Sequence, residues 1–239
     1  MSGYVFSIVV VLILPLAAGI FMVRRLKTFW PVLLGALTFF VFQGLLRIPL
    51  LQWVLPKSAD YVLFQFTQPI LYLLFLSVTA GIFEEVGRYV VMKRFMKNAP
   101  ISHAIGFGIG HGGIEAILLV GLNLIITSIT GSLMISDQGS QFFAAGFERL
   151  FAMVFHICLS VMIWRSLREK KPSYLFLAIL LHTLLNALAL YLLMRQVSVL
   201  VIEGAIALFT LALLISTIRF LHRTQNQGGT KYAAKNQEK

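Results

Sequence analysis

Charge is scarce in this 239-residue chain. Asp, Glu, Lys and Arg together make up 12% of it, hydrophobic residues 59%, and the mean hydropathy is +0.87. A soluble domain carries about 25% charged residues, so the shortage excludes a soluble globular protein. Acids are scarcer than bases, 9 against 20, which leaves a net charge of +11. The bases cluster in short connectors between apolar runs, a pattern of membrane topology, so no nucleic-acid partner is expected. There is one cysteine, Cys158, and it lies inside an apolar run. An internal disulfide is therefore excluded. The chain has no internal repeat, no N-glycosylation sequon and no H-E-x-x-H.

What is present is a series of apolar runs near the ~20 residues that cross a bilayer. Seven spans are expected, at 3–23, 30–54, 61–92, 102–130, 147–165, 173–194 and 197–219. The fold class is all-α, a polytopic membrane helical bundle of about seven transmembrane helices. Residues 1–223 form one transmembrane domain. The polar stretch 224–239 buries too little apolar surface to fold and reads as a disordered basic cytoplasmic tail. The first run has its bases (Arg24, Arg25, Lys27) after it. A cleaved signal peptide carries them before, so the run reads as a retained span. Connectors rich in bases (24–27, 93–97, 165–171) alternate with poor ones around Lys57, Asp137 and Arg195. This alternation predicts a multi-pass protein of the cell membrane, N-terminus outside and C-terminus cytoplasmic.

The stretch Gly81-Ile82-Phe83-Glu84-Glu85-Val86-Gly87-Arg88 places three charges inside a span, where each is costly unless it faces the bundle interior and finds a partner. Glu84 and Arg88 are four apart and share a helix face, so they are expected to pair. Glu85, rotated by about 100°, points elsewhere. The fourth span reads AIGFGIGHGGIEA over 104–116, with His111 and Glu115 four apart. Gly108, Gly110 and Gly113 match G-x-G-x-x-G, but without the strand and βαβ unit that a dinucleotide site requires. Glycines in a membrane helix instead let neighbouring backbones approach closely. The fifth span carries Glu148, Arg149 and His156, the sixth His182 and Asn186. Glu84, His111, His156 and His182 each lie about nine residues from the basic edge of their span, a depth of ~13 Å at the helical rise. One shared depth points to one polar chamber. Gln43, Arg47 and Glu203 read as structural.

A carboxylate beside imidazoles suits two hydrolytic designs. In the first, Glu84 or Glu85 is a general base on water while histidines or Asn186 stabilise the oxyanion. In the second, His156, His182, His111 and Glu115 offer ligands for zinc or another divalent metal, which activates its bound water. Either design hydrolyses a peptide bond in or beside the membrane.

Glu84-Glu85-x-x-Arg88, Glu115 in a glycine-rich span, Arg149 with His156, and His182-x-x-x-Asn186 resemble, in order, the motifs of the intramembrane glutamate proteases. That superfamily includes CAAX prenyl proteases, CPBP proteins and PrsW proteases. Within it the chain through the seventh span is similar to the YhfC-like membrane peptidases. The resemblance implies Glu84, Glu85, His156 and His182 as the catalytic group. It implies Arg88, His111, Glu115, Arg149 and Asn186 as support, with a membrane protein or membrane-anchored peptide as substrate. Two other functions compete: a non-catalytic scaffold or immunity-type protein docking through the glycine-rich face, and a proton-coupled transporter, against which the missing inverted repeat counts.

Overall fold

The structure, a computed structural model, describes residues 2–130 and 139–237, with side chains described up to residue 223. All of the regular structure among the described residues is helical. Among the described residues, seven helices are long and apolar enough to cross a membrane. In chain order the helices are α1 (Ser2–Leu26), α2 (Trp30–Lys57), the short α3 (Ala59–Thr67), α4 (Pro69–Phe95), α5 (Ile101–Ile129), α6 (Gly139–Glu169), α7 (Ser173–Met194) and α8 (Val199–Gln237). The part of α8 able to cross a membrane is Val199–Arg223. The expected tail lies beyond the described side chains, and the connector around Asp137 lies outside the described residues.

Local chemistry sets most of the boundaries. Prolines open α2 and α4, where a missing N–H costs nothing. Lys27, Asn98, Lys170 and Gln196 adopt left-handed φ between 53° and 65° at helix ends or in the short connectors, as helix-terminating residues do. One expectation is corrected here. The apolar run from Tyr61 is not one helix, because the chain breaks at Gln68 (φ −129°, ψ 58°) before Pro69 starts α4. Proline disfavours helical geometry in the residue before it. The fifth span is also longer than its apolar stretch, since α6 begins at Gly139. Parts of α1, α2 and α5 are wound in wider π turns, over Val9–Ile13, Phe40–Arg47, Leu50–Val54 and Ile117–Gly121.

The glycines let α5 sit between α2 and α6 at backbone distance. A Cβ at Gly108 would stand 2.5 Å from the Ile157 Cα, and one at Gly110 would overlap the Val32 carbonyl oxygen. Gly106 and Gly113 face Leu26 and Pro15 of α1. The glycine face is thus covered by the chain's own helices.

The connectors gather at two ends. Trp164 Nε1 donates to the Ala99 carbonyl (2.8 Å) and Arg168 Nη2 to the Asn98 carbonyl (3.1 Å), which joins the 96–100 and 170–172 connectors at a basic end. At the opposite end Tyr4 donates to the Leu124 carbonyl (3.2 Å) and Phe6 stacks on Phe143. Met92, Phe107, Cys158, Leu159 and Ile163 form the buried core on the basic side of the polar residues. Phe176, Leu200, Leu208 and Ile215 project outward, where hydrocarbon replaces a core.

Candidate functional site

The charged residues of α4 meet side chains from four other helices. Glu84, almost fully buried, accepts from Gln43 Nε2 of α2 at 3.0 Å on Oε1. Its Oε2 lies 3.1 Å from His111 Nε2 of α5, and its Oε1 is 3.8 Å from His182 Nε2 of α7. Gln43 is itself held by Arg47, whose Nη1 donates to its Oε1 at 3.1 Å. Arg47 also donates to Thr79 Oγ1 and to the Leu76 carbonyl.

Glu85 points the other way. Both its oxygens accept from Arg88 Nη1, at 3.0 and 2.8 Å, and Oε1 also receives His182 Nδ1 at 2.8 Å. The expected Glu84–Arg88 pair is therefore corrected to Glu85–Arg88. Positions three and four apart are both neighbours on a helix, and Glu84 is taken by partners on other helices. Arg88 Nη2 continues to His156 Nδ1 at 2.9 Å. The other nitrogen of His156 faces Glu115 Oε2, and Glu115 Oε1 accepts from Arg149 Nη1 at 2.8 Å. Arg149 Nη2 ends on Glu148. The His111–Glu115 hydrogen bond that their spacing allows does not form. Each residue turns to another helix instead.

The four residues expected at one depth do lie together. The His111 and His156 rings are 4.8 Å apart and those of His156 and His182 5.5 Å apart, centroid to centroid. A cavity of about 460 Å³ opens beside them. Glu84, Glu115, Arg149, His156, His182 and Asn186 are in its walls, and Glu85, Arg88 and His111 stand behind. The sequence pointed to these residues and missed Gln43 and Arg47, which read as structural although Gln43 touches Glu84 directly.

The donor set for a metal differs from the expected one. Among the described residues, ligand atoms of Glu84, His111 and His156 lie within 4.8 Å of one another; His182 and Glu115 are not in that group. Glu84 has acceptor capacity, and His111 Nδ1 has no hydrogen-bond partner. His156 does not fit. A guanidinium only donates, so the Nδ1 that faces Arg88 must accept. The ring proton then sits on Nε2, toward Glu115, and neither nitrogen keeps an open lone pair. A ligating histidine needs the reverse, an acceptor on its second nitrogen. His182 has that arrangement, with Glu85 on Nδ1, but lies outside the group of three.

Comparison with known proteins agrees with this architecture. The chain is 34% identical over 187 residues to an uncharacterized membrane protein, YhfC, of Bacillus subtilis (strain 168), covering 67% of this chain and 71% of that protein. No solved structure matches. The profile of the family described as YhfC intramembrane metalloprotease matches residues 10–145 and 140–207, and with most of its length covered the chain belongs to that family.

Proposed function

We propose that the protein is an intramembrane endopeptidase in which Glu84 activates water against a peptide bond of a membrane-associated substrate. One observation carries this reading. Of the two adjacent carboxylates, Glu84 faces the cavity beside His182 and Asn186, whereas Glu85 is fully buried and spent on Arg88 and His182. A general base must reach the proton it removes, and only Glu84 has room beside it for water and a peptide.

In the step this supports, water between Glu84 and the substrate carbonyl gives its proton to Glu84 as its oxygen bonds to carbon. The developing oxyanion is met by donors on α7, with the Asn186 amide one turn beyond His182. The C–N bond then breaks and the proton passes to the leaving amine, with His182 Nε2, 3.8 Å from Glu84 Oε1, on the route. Glu85 fixes the His182 ring through Nδ1. Gln43 and His111 hold the Glu84 carboxylate on its two oxygens.

The family's description implies a metal. Because His156 keeps no open lone pair, no step here is derived through one, and the reading is a glutamate-type hydrolase like those of the CAAX-type resemblance. The scaffold reading loses its docking face, since the α5 glycines are covered by α1, α2 and α6. The test is cleavage of candidate membrane substrates by the purified protein and its Glu84→Gln variant. Cleavage that depends on Glu84 is expected; equal cleavage by the variant would sink the assignment.

A further inference from the structure

The cavity extends from Glu84 in one direction only. On α2 it is lined beyond Gln43, at Arg47 and Gln52. On α5 it is lined beyond Glu115, at Leu119, and on α7 beyond His182, at Ala189. These three helices run away from the basic end. The helices that run toward it, α4 and α6, contribute residues before the site, Ser77 and Glu148. α8, which also runs toward the basic end, contributes Ile206 near its start, so all six walls lead to the end of the bundle that holds Lys57 and Arg195. In the other direction the site is plugged. Arg88, Met92, Phe107, Cys158, Leu159 and Ile163 have at most 1% of their surface exposed, and they fill the cross-section between the site and the basic connectors.

The bases of the plugged end are Arg24, Arg25, Lys27, Lys93, Arg94, Lys97, Arg165, Arg168, Lys170 and Lys171. Connectors with that bias stay in the cytoplasm. We infer that the substrate reaches Glu84 from the extracytoplasmic face, so that the substrate class is a membrane-anchored polypeptide whose cleaved segment enters the bundle from its outer side and meets Glu84 near mid-membrane. The inference rests on the peptidase reading for the word substrate; the direction of access rests on the cavity and the charge bias alone. The open walls suit an extended peptide, because they carry polar groups (Arg47, Gln52, Glu148, Asn186) among apolar ones. A peptide in a membrane must find partners for its backbone.

Side-specific thiol labelling of the full-length protein in sealed vesicles of both orientations tests this directly. The native Cys158 is first replaced by Ser. Lys57→Cys and Lys170→Cys then mark the two faces, while Ala152→Cys and Ala189→Cys report on the cavity. Ala152 and Ala189 are partly exposed residues of the cavity lining on α6 and α7, so a membrane-impermeant reagent that enters the cavity can reach them. We expect both cavity cysteines to react from the face that labels Lys57→Cys, and that face to be the outer one. Reaction only from the Lys170→Cys face, no reaction from either face while both markers label, or Lys57→Cys labelled from the cytoplasm would each overturn the inference. Two cavity positions guard against one variant failing to assemble. Labelling needs no turnover, so its outcome stands apart from the peptidase reading, which fails on its own if the purified protein cleaves nothing.

Discussion

Toward the basic connectors, the bundle around Glu85 is solid. Glu85 and Arg88 are joined there and reach His156, from which the contacts continue along the cavity wall through Glu115 and Arg149 to Glu148, and apolar side chains close the space beneath Arg88. Toward the opposite end, the bundle around Glu84 is open, and that carboxylate has a neutral amide, an imidazole and a cavity for neighbours. Two identical side chains, adjacent on one helix, thus meet different physics. Buried charges in the closed half need every partner they have, because removing one leaves another uncompensated at a cost of about 3–5 kcal/mol. In the open half, the same carboxylate keeps acceptor capacity for a reactant. The difference teaches that the rotation of about 100° between consecutive residues is enough to separate a holding role from a reacting one.

The sharpest way to break this contrast is to exchange the two carboxylates for amides in turn. Glu84→Gln keeps the size and the hydrogen-bonding reach but removes the base. Proteolysis should fall by ~10²–10⁴-fold, the range for a positioned acid–base group, with the protein assembling in normal amount. Glu85→Gln should show its damage first in abundance and thermal stability. Normal abundance with abolished cleavage for Glu85→Gln, beside an active Glu84→Gln, would invert the roles.

Next in size is the closed network itself. Arg88→Met strands Glu85 and leaves His156 Nδ1 without its donor. A loss of about 3–5 kcal/mol is expected from an uncompensated buried charge, read as a lower midpoint of thermal unfolding in detergent. The double variant Arg88→Met with Glu85→Leu removes both charges and should recover much of that loss. Equal damage from the single and double variants would mean the pair is not what the closed half depends on.

Gln43 offers a smaller effect in the open half. A hydrogen bond to a charged group contributes about 1.5–3 kcal/mol, so Gln43→Ala should slow cleavage by roughly 10- to 150-fold, since 1.36 kcal/mol is tenfold in rate. Gln43→Glu should be worse, because it sets a second carboxylate against Glu84. An unchanged rate for Gln43→Ala would show that His111 alone holds the Glu84 carboxylate.

These residues also show how far the sequence could be read. The seven spans were legible because hydrocarbon demands long apolar helices and the connectors collect the bases. The meeting of Glu84, His111, His156 and His182 was legible from depth, since each is nine residues from its basic edge. Pairing was not. Spacing says that Arg88 is near both carboxylates, and only the neighbouring helices decide which one it takes. Gln43 was hidden for a related reason. It is thirteen residues from Trp30 against nine for Glu84 from Lys93, so a uniform rise puts it at another level. The π-wound stretch Phe40–Arg47 and the reach of its own side chain bring it back. The break at Gln68 is marked in the sequence by Pro69, but the apolar run continues through it and masks the boundary.

The smallest expected effect is none at all, and it bears on the chemistry. The family's description carries a metal, and Glu84, His111 and His156 stand close enough to suggest one. Close donors are not enough, because each ligand must present a lone pair. Arg88 cannot give up its protons to make way, so His156 becomes a ligand only if the guanidinium leaves Nδ1. That would strand Glu85 and His156 together in the closed half. Cleavage by the purified protein should therefore be unchanged by a strong chelator, and added zinc should not raise it. Inactivation by the chelator with recovery on zinc would instead require Arg88 to swing away from His156 in the working enzyme. Arg88→Met should then bind zinc at least as well as the parent, which metal content after dialysis would reveal. Joined to the Glu84→Gln result, insensitivity to chelation would assign the water's activation to the carboxylate alone.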